Sequence, residues 1–150
     1  MAIGLADAFA AAALAVTGPE TVPLTAAAFA ALPRTAVEWT VHDEKFSCTG
    51  PWLIDVVAAA EVPTDDKVRG EALATLVVAT GADGYPAVFT LAELDRTLGN
   101  APVVVAERCN GAPLTDGAGP LRLVPARDKR GARGVRGLVR LEIDRLPMTP

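Results

Sequence analysis

Turn signals divide this chain of 150 residues into short segments, and that division limits what it can fold into. The signals are Gly18-Pro19, Gly50-Pro51, the run from Gly81 to Gly84, and Asn110-Gly111. Glycine adopts positive φ freely and proline lacks a backbone N–H, so both interrupt helices and strands. Only short helices and strands fit between them. No apolar run reaches the roughly 18 residues of a membrane-spanning helix.

Most segments follow strand patterns. Residues 37–41 and 139–143 alternate apolar and polar positions, which predicts half-buried strands. Residues 73–80 form a continuous apolar run and predict a strand buried on both faces. Asn110-Gly111 predicts a hairpin between 102–107 and 112–114. Further short strands are expected at 13–17, 87–89 and 121–124.

Three short helices are predicted between these strands. Thr25 is the expected N-cap of a helix over 24–32, and Pro51 is expected in the first turn of the next. The pattern from Thr90 to Glu93 is a capping box, and Gly99 closes the helix it begins. Strands therefore outnumber helices. The expected class is α+β, with mixed β-sheets and short helices in one compact domain over residues 1–150.

Charge is distributed unevenly. The net charge is −4, yet residues 121–150 hold eight Arg and Lys against three acidic residues. An acidic body repels nucleic acid, which excludes a nucleic-acid-binding role. The basic segment favours a small anionic ligand or a charge-matched protein partner. A solvated strand edge explains it equally well.

The N-terminal segment bears on the compartment. Residues 1–16 are rich in alanine, but they contain no Lys or Arg, and Asp7 interrupts the apolar run. We interpret them as mature sequence, or as a chain whose export signal was removed upstream. The compartment is cytoplasmic for the chain as written and periplasmic in the second case. Two cysteines, Cys48 and Cys109, do not form a disulfide framework, although one bridge is open to them.

Two single residues are candidates for chemistry. His42 ends a predicted strand beside Asp43 and Glu44, so it is a potential base or ligand, or else an edge histidine. Cys48 precedes a predicted helix N-terminus, where the helix dipole favours the thiolate that binds metals. The alternative is a buried cysteine acting as a small apolar residue.

The basic segment over 128–137 contains four basic residues and three glycines. Glycines let a backbone approach an anion, and arginine holds phosphate oxygens in bidentate fashion. Arg133 and Arg136 are the candidate phosphate contacts in this segment. A strand rather than a helix follows it, so it is not a nucleotide P-loop. A solvated loop is the alternative interpretation.

The order of the segments resembles the molybdopterin-binding domain of the sulfite oxidase family, in its short stand-alone bacterial form. The resemblance spans about residues 13–144. The segments that carry it are Leu14-Ala15-Val16-Thr17-Gly18, residues 24–33, Thr49-Gly50-Pro51-Trp52-Leu53, residues 83–94, Gly111-Ala112-Pro113-Leu114, Gly119-Pro120-Leu121-Arg122-Leu123 and residues 133–143.

This resemblance implies the family's α+β fold and a molybdopterin cofactor whose phosphate contacts basic residues. The sequence contains no haem motif, so no haem is expected. Arg136 lies where the family's Val-Lys-Trp-Leu stretch has its lysine, so Arg133 and Arg136 are the expected cofactor contacts, with His42 and Cys48 beside them. The family's catalytic members hold molybdenum with a cysteine that lies earlier in the chain, and Glu38 stands twelve residues before Gly50. The cysteine that ligates the metal in those members is therefore absent from its usual position in this sequence.

Two functions follow from that resemblance. One is a molybdopterin-dependent oxidoreductase, or a molybdopterin-binding domain, with a protein redox partner. The other is a non-catalytic module that keeps the fold and binds a small anion or a protein.

Overall fold

A computed structural model describes residues 14–147. This part of the chain contains ten strands and three short α-helices. The strands are β1 (Ala15–Thr17), β2 (Thr35–Val41), β3 (Glu44–Gly50), β4 (Thr75–Gly81), β5 (Pro86–Thr90), β6 (Val103–Ala106), β7 (Arg108–Cys109), β8 (Ala112–Pro113), β9 (Arg122–Pro125) and β10 (Leu138–Arg145). The helices are α1 (Ala26–Ala31), α2 (Leu53–Ala59) and α3 (Leu91–Leu94). Single 3-10 turns lie at Asp65–Lys67, Gly70–Ala74, Asp116–Ala118 and Gly131–Arg133.

The largest sheet brings the two ends of the chain together. Its four strands lie in the order β1-β10-β4-β5, and β10 runs parallel to β1 and antiparallel to β4. The apolar side chains of β4 and β10 pack on α2 and α3 in the main core, together with Phe29 and Phe89. Every side chain in that core is at least nine-tenths buried.

A second four-stranded sheet, in the order β2-β3-β7-β8, packs against the two-stranded sheet of β6 and β9. Trp39, Cys48, Val104, Ala106 and Val124 form the smaller core between these sheets. The predicted alternation of β2 is confirmed, because Trp39 is buried while its neighbours Glu38 and Thr40 are exposed. The α+β class predicted from the sequence is confirmed.

Local signals predicted most helix and turn positions correctly. The Thr25 side chain caps α1, and Thr90 with Glu93 forms the predicted capping box of α3. Asn110 and Gly111 form the predicted turn, with φ of 53° and 79°. The hairpin they join is much shorter than predicted, because residues 103–106 pair with β9 instead.

Several boundaries differ from the prediction. Helix α2 begins at Leu53 after an N-cap at Trp52, so Pro51 precedes the helix instead of lying in its first turn. Residues 70–74 form a 3-10 turn rather than the start of β4, and Leu73 is about half exposed at 49%. The strand over Glu44–Gly50 was not predicted, because its charged first half hides the alternation.

Candidate functional site

A cavity of about 630 Å³ opens where three connecting segments meet. The last residue of β2, Val41, and the turn residue His42 line one side, and the turn after β4 supplies Asp83 and Tyr85. The segment from 129 to 136 forms most of the remaining wall, and Arg122, the first residue of β9, completes it. This volume lies within the range of small-molecule sites, roughly 300–1,000 Å³.

The backbone of the β2–β3 turn places His42 at the mouth of this cavity. His42 and Asp43 both have positive φ, 51° and 64°, as the two central residues of a tight hairpin turn require. Because Val41 and Glu44 pair directly across this turn, His42 is held at its tip and is exposed. The sequence correctly predicted a histidine at a strand end.

Tyr85 joins the second turn to the basic segment. The Asp83 carboxylate accepts a hydrogen bond from the Tyr85 backbone N–H at 3.0 Å, which stabilises the turn itself. The Tyr85 hydroxyl donates to the Ala132 carbonyl at 2.5 Å. The bond from Tyr85 to Ala132 fixes the turn after β4 against the basic segment on the other side of the cavity.

The glycines of the basic segment lie against an aromatic side chain. A Cβ built on Gly134 would lie 2.5 Å from Trp39 Cη2, and one on Gly131 would lie 3.1 Å from Val41 Cγ1. Any larger residue at Gly134 would push the loop off Trp39. The sequence interpretation gave these glycines the role of approaching an anion, whereas the structure uses Gly134 to approach Trp39.

The lining of the cavity is strongly basic. Four cationic residues face it, and Asp83 is the one acidic residue among its lining residues. The cations are Arg122, Lys129, Arg130 and Arg136. Within residues 14–147, the ion pairs formed by arginine involve Arg34, Arg96 and Arg133, and none of the four lining cations takes part. Their charges therefore add to a positive field that favours an anionic ligand.

Arg122 is the least solvated of these cations. Its guanidinium carbon lies 4.8 Å from the centroid of the Trp39 ring, a cation–π contact. Its Nε is buried and has no hydrogen-bond partner in the described part of the chain. Burial lowers the pKa of Arg122 below its ordinary value, and the nearby charge of Arg136 lowers that pKa further. Partial burial of a cation without a carboxylate partner costs desolvation free energy, and an anion bound in the cavity would offset part of that free energy.

The two arginines predicted as cofactor contacts have different surroundings. Arg136 is exposed and lines the cavity. Arg133 does not line this cavity and faces a separate surface depression beside Glu93 and Asp128.

The Arg133 guanidinium is occupied by neighbours in the protein. Its Nε and Nη2 donate to the two oxygens of Asp128, each at 2.9 Å, and its Nη1 donates to Glu93 at 3.1 Å and the Val88 carbonyl at 3.0 Å. It also lies 4.3 Å from the Phe89 ring centroid. The bonds to Asp128 raise the pKa of Arg133 above its ordinary value. Arg133 therefore braces the loop, whereas Arg136 lines the cavity, and the predicted contact of both residues with a cofactor stays a prediction.

Cys48 is also removed from the cavity. It is fully buried and forms a disulfide with Cys109, which lies directly opposite it in the antiparallel pair of β3 and β7. The open possibility of one bridge is therefore realised. The expectation of a Cys48 thiolate near a cofactor is wrong for this structure, because the sulfur is bonded to Cys109 and no thiolate can form.

The donor set does not fit a molybdenum ion. No cluster of three or more His, Cys, Asp or Glu side chains suited to a metal lies within residues 14–147. The soft thiolate that such a metal needs is absent from the cavity, since Cys48 is bonded to Cys109. The cationic lining does fit the phosphate group of an organic ligand.

Sequence reasoning missed Arg122 as a site residue. It lies in the segment Gly119-Pro120-Leu121-Arg122-Leu123, which was used only to identify the family resemblance. The available signal was a charged residue at the start of an otherwise apolar strand, which places a cation at the edge of the core. The contact of Arg122 with Trp39 depends on tertiary structure, so no local pattern predicts it.

Comparison with known proteins supports the fold. No family model and no curated protein sequence matches the chain. Among solved structures, the chain is similar to the sulfane dehydrogenase SoxCD from Paracoccus pantotrophus, with a TM-score of 0.63 and 18% sequence identity. The match covers 89% of this chain and 38% of that one, so this chain spans well under half of the neighbour's length. In the described region, no helix is long and apolar enough to cross a membrane.

Proposed function

We propose that this domain binds a phosphate-bearing organic anion in the cationic cavity, and that a molybdopterin is the ligand class. The observation that carries the proposal is Arg122, a half-buried cation in the cavity wall with no carboxylate partner in the described chain. Arg136, Lys129 and Arg130 provide further positive charge around it.

The choice of a molybdopterin depends on two further findings. The segment order resembles the molybdopterin-binding domain of the sulfite oxidase family. The fold resembles that of an enzyme named as a sulfane dehydrogenase, whose reaction class is oxidation and reduction. The cavity is also much larger than a phosphate ion needs, so a phosphate ester of some size fits it.

We favour a binding domain over a molybdenum oxidase. Metal chemistry through Cys48 would require the disulfide to Cys109 to be reduced and the buried sulfur to reach the cavity. Disulfides persist in oxidising compartments, so we also propose that the chain functions in one, such as the periplasm. Thiol labelling of protein isolated from its host under denaturing conditions tests this: no labelled cysteine is expected, and two labelled cysteines would contradict it.

Titration calorimetry with inorganic pyrophosphate tests the anion site. We expect binding that weakens with added salt, and a several-fold loss of affinity in Arg136→Gln. Arg69→Gln is the matched control, because Arg69 is also an exposed arginine but lies outside the cavity lining. Equal affinity in both variants, or no binding to the wild type, would contradict the site.

Analysis of protein made in a bacterium that synthesises the cofactor tests the ligand class. Fluorescence after acid oxidation measures bound pterin, and mass spectrometry measures molybdenum. We expect pterin that is lost in Arg136→Gln, without molybdenum held by Cys48. Stoichiometric molybdenum that disappears in Cys48→Ser would instead support the oxidoreductase, and the absence of pterin would overturn the ligand class.

A further inference from the structure

The indole N–H of Trp39 is a second buried donor beside the cavity. Trp39 is 1% exposed, and its Nε1 has no hydrogen-bond partner in the described part of the chain. Two residues of the cavity lining, Arg122 and Gly134, contact its ring, so Trp39 lies directly behind the wall. Leaving such a donor buried without an acceptor destabilises the structure.

The unpartnered Nε of Arg122 belongs to the guanidinium that contacts this ring. These two nitrogens are the buried side-chain atoms without partners that the structure shows in residues 14–147. Arg122 lines the cavity, and Trp39 packs behind Arg122 and Gly134 without lining the cavity itself. Both are donors only, so neither can satisfy the other. Each of them therefore requires a hydrogen-bond acceptor, and that acceptor must enter the wall of the cavity, because neither nitrogen is exposed in this structure.

We propose that Trp39 Nε1 and Arg122 Nε form an inner subsite that holds an oxygen of the bound phosphate group. This proposal rests on the proposed function and adds Trp39 as a specificity-determining residue. A phosphate oxygen is an acceptor with negative charge, so it suits both donors and the guanidinium charge. Arg136 at the more exposed wall would contact the remaining oxygens. A hydroxyl or amide group in this position would gain less, because it brings no negative charge to Arg122.

The two tryptophans of the chain allow a direct test by NMR of the indole N–H groups. Trp52 is the internal control, because it lies at the start of α2 and lines a different surface depression. Spectra of Trp52→Phe assign the two signals. During titration with inorganic pyrophosphate, we expect the Trp39 indole proton to move downfield and exchange more slowly with solvent, while the Trp52 signal stays in place.

Calorimetry of two variants gives the second readout. Trp39→Phe keeps an aromatic ring next to Arg122 and removes the N–H, so we expect pyrophosphate to bind roughly 10-fold more weakly. Trp52→Phe should bind as the wild type does. If Trp39→Phe fails to fold, the wild-type NMR titration decides the question.

The outcomes separate this subsite from the proposed function. Pyrophosphate binding with an unmoved Trp39 signal would overturn the subsite and leave the anion site intact. If pyrophosphate does not bind the wild type at all, both proposals fail. A Trp39 shift together with the weaker binding of Trp39→Phe supports both.

Discussion

Arg133 and Arg136 lie three residues apart, and replacing each with glutamine should have opposite consequences. Arg133→Gln should destabilise the fold and weaken anion binding less than Arg136→Gln does. Arg136→Gln should weaken anion binding and leave stability nearly unchanged. The structure predicts this division because the Arg133 guanidinium contacts Asp128, Glu93 and the Phe89 ring, whereas Arg136 faces the cavity without an ion pair in the described chain.

The cost of losing Arg133 follows from its contacts. The side chain is 32% exposed, so its two ion pairs are partly screened and contribute less than buried ones. The fork on Asp128, the bond to the Val88 carbonyl and the contact with Phe89 add together to about 2 kcal/mol. For a domain of this size, that loss lowers the melting temperature by about 4–8 °C.

Urea unfolding and pyrophosphate calorimetry measure the two effects separately. Arg136→Gln should change the free energy of unfolding by less than about 0.5 kcal/mol, because the side chain is exposed and unpaired in the described chain. Arg133→Lys should be more stable than Arg133→Gln, because it keeps the positive charge and loses only the bidentate hydrogen bonds to Asp128. If Arg133→Gln weakened pyrophosphate binding more than Arg136→Gln, the assignment of these residues would be refuted.

Three further predictions concern the framework. Burial of the Asp95 carboxylate opposes its ionisation, but hydrogen bonds from Thr97 and the Asp65 N–H outweigh burial and lower its pKa. The free energy of unfolding should therefore fall as the pH drops below about 4, and urea titrations should show a weaker acid dependence in Asp95→Asn. The Cys48→Ala, Cys109→Ala double variant should lose about 2–4 kcal/mol of unfolding free energy, because the disulfide closes a loop of 61 residues. Its affinity for pyrophosphate should stay unchanged, and a loss of binding would place the disulfide in the site. Gly134→Ala should weaken pyrophosphate binding by calorimetry, since the added methyl would displace the loop, and unaltered affinity would show that the loop tolerates the shift.

Local signals in the sequence predicted the helices and turns because those features depend on neighbouring residues. Thr90 and Glu93 cap α3 through each other, and Asn110-Gly111 adopts its turn through its own φ preferences. Strand pairing depends on distant residues instead. The sequence predicts residues 103–106 as one strand of a hairpin, yet in the structure they pair with β9. No local pattern specifies that pairing.

The same difference between local and long-range contacts explains which site residues the sequence could identify. The sequence identified the basic segment and His42, and the structure places His42, Arg136 and part of that segment around one cavity. It could not separate Arg133 from Arg136, because the partner of Arg133 on α3, Glu93, lies 40 residues away. Nor could it identify Arg122, whose importance comes from burial against Trp39. The pairing of Cys48 with Cys109 likewise depends on the register of β3 against β7.

The position of a bound oxyanion tests the central claim most directly. Crystals grown with selenate, a tetrahedral oxyanion whose selenium scatters anomalously, would locate it without assumptions about the natural ligand. The account predicts an anomalous peak inside the cavity, within hydrogen-bonding distance of Arg122 Nε and close to Arg136. Selenate bound elsewhere on the basic segment, with no peak inside the cavity, would contradict it.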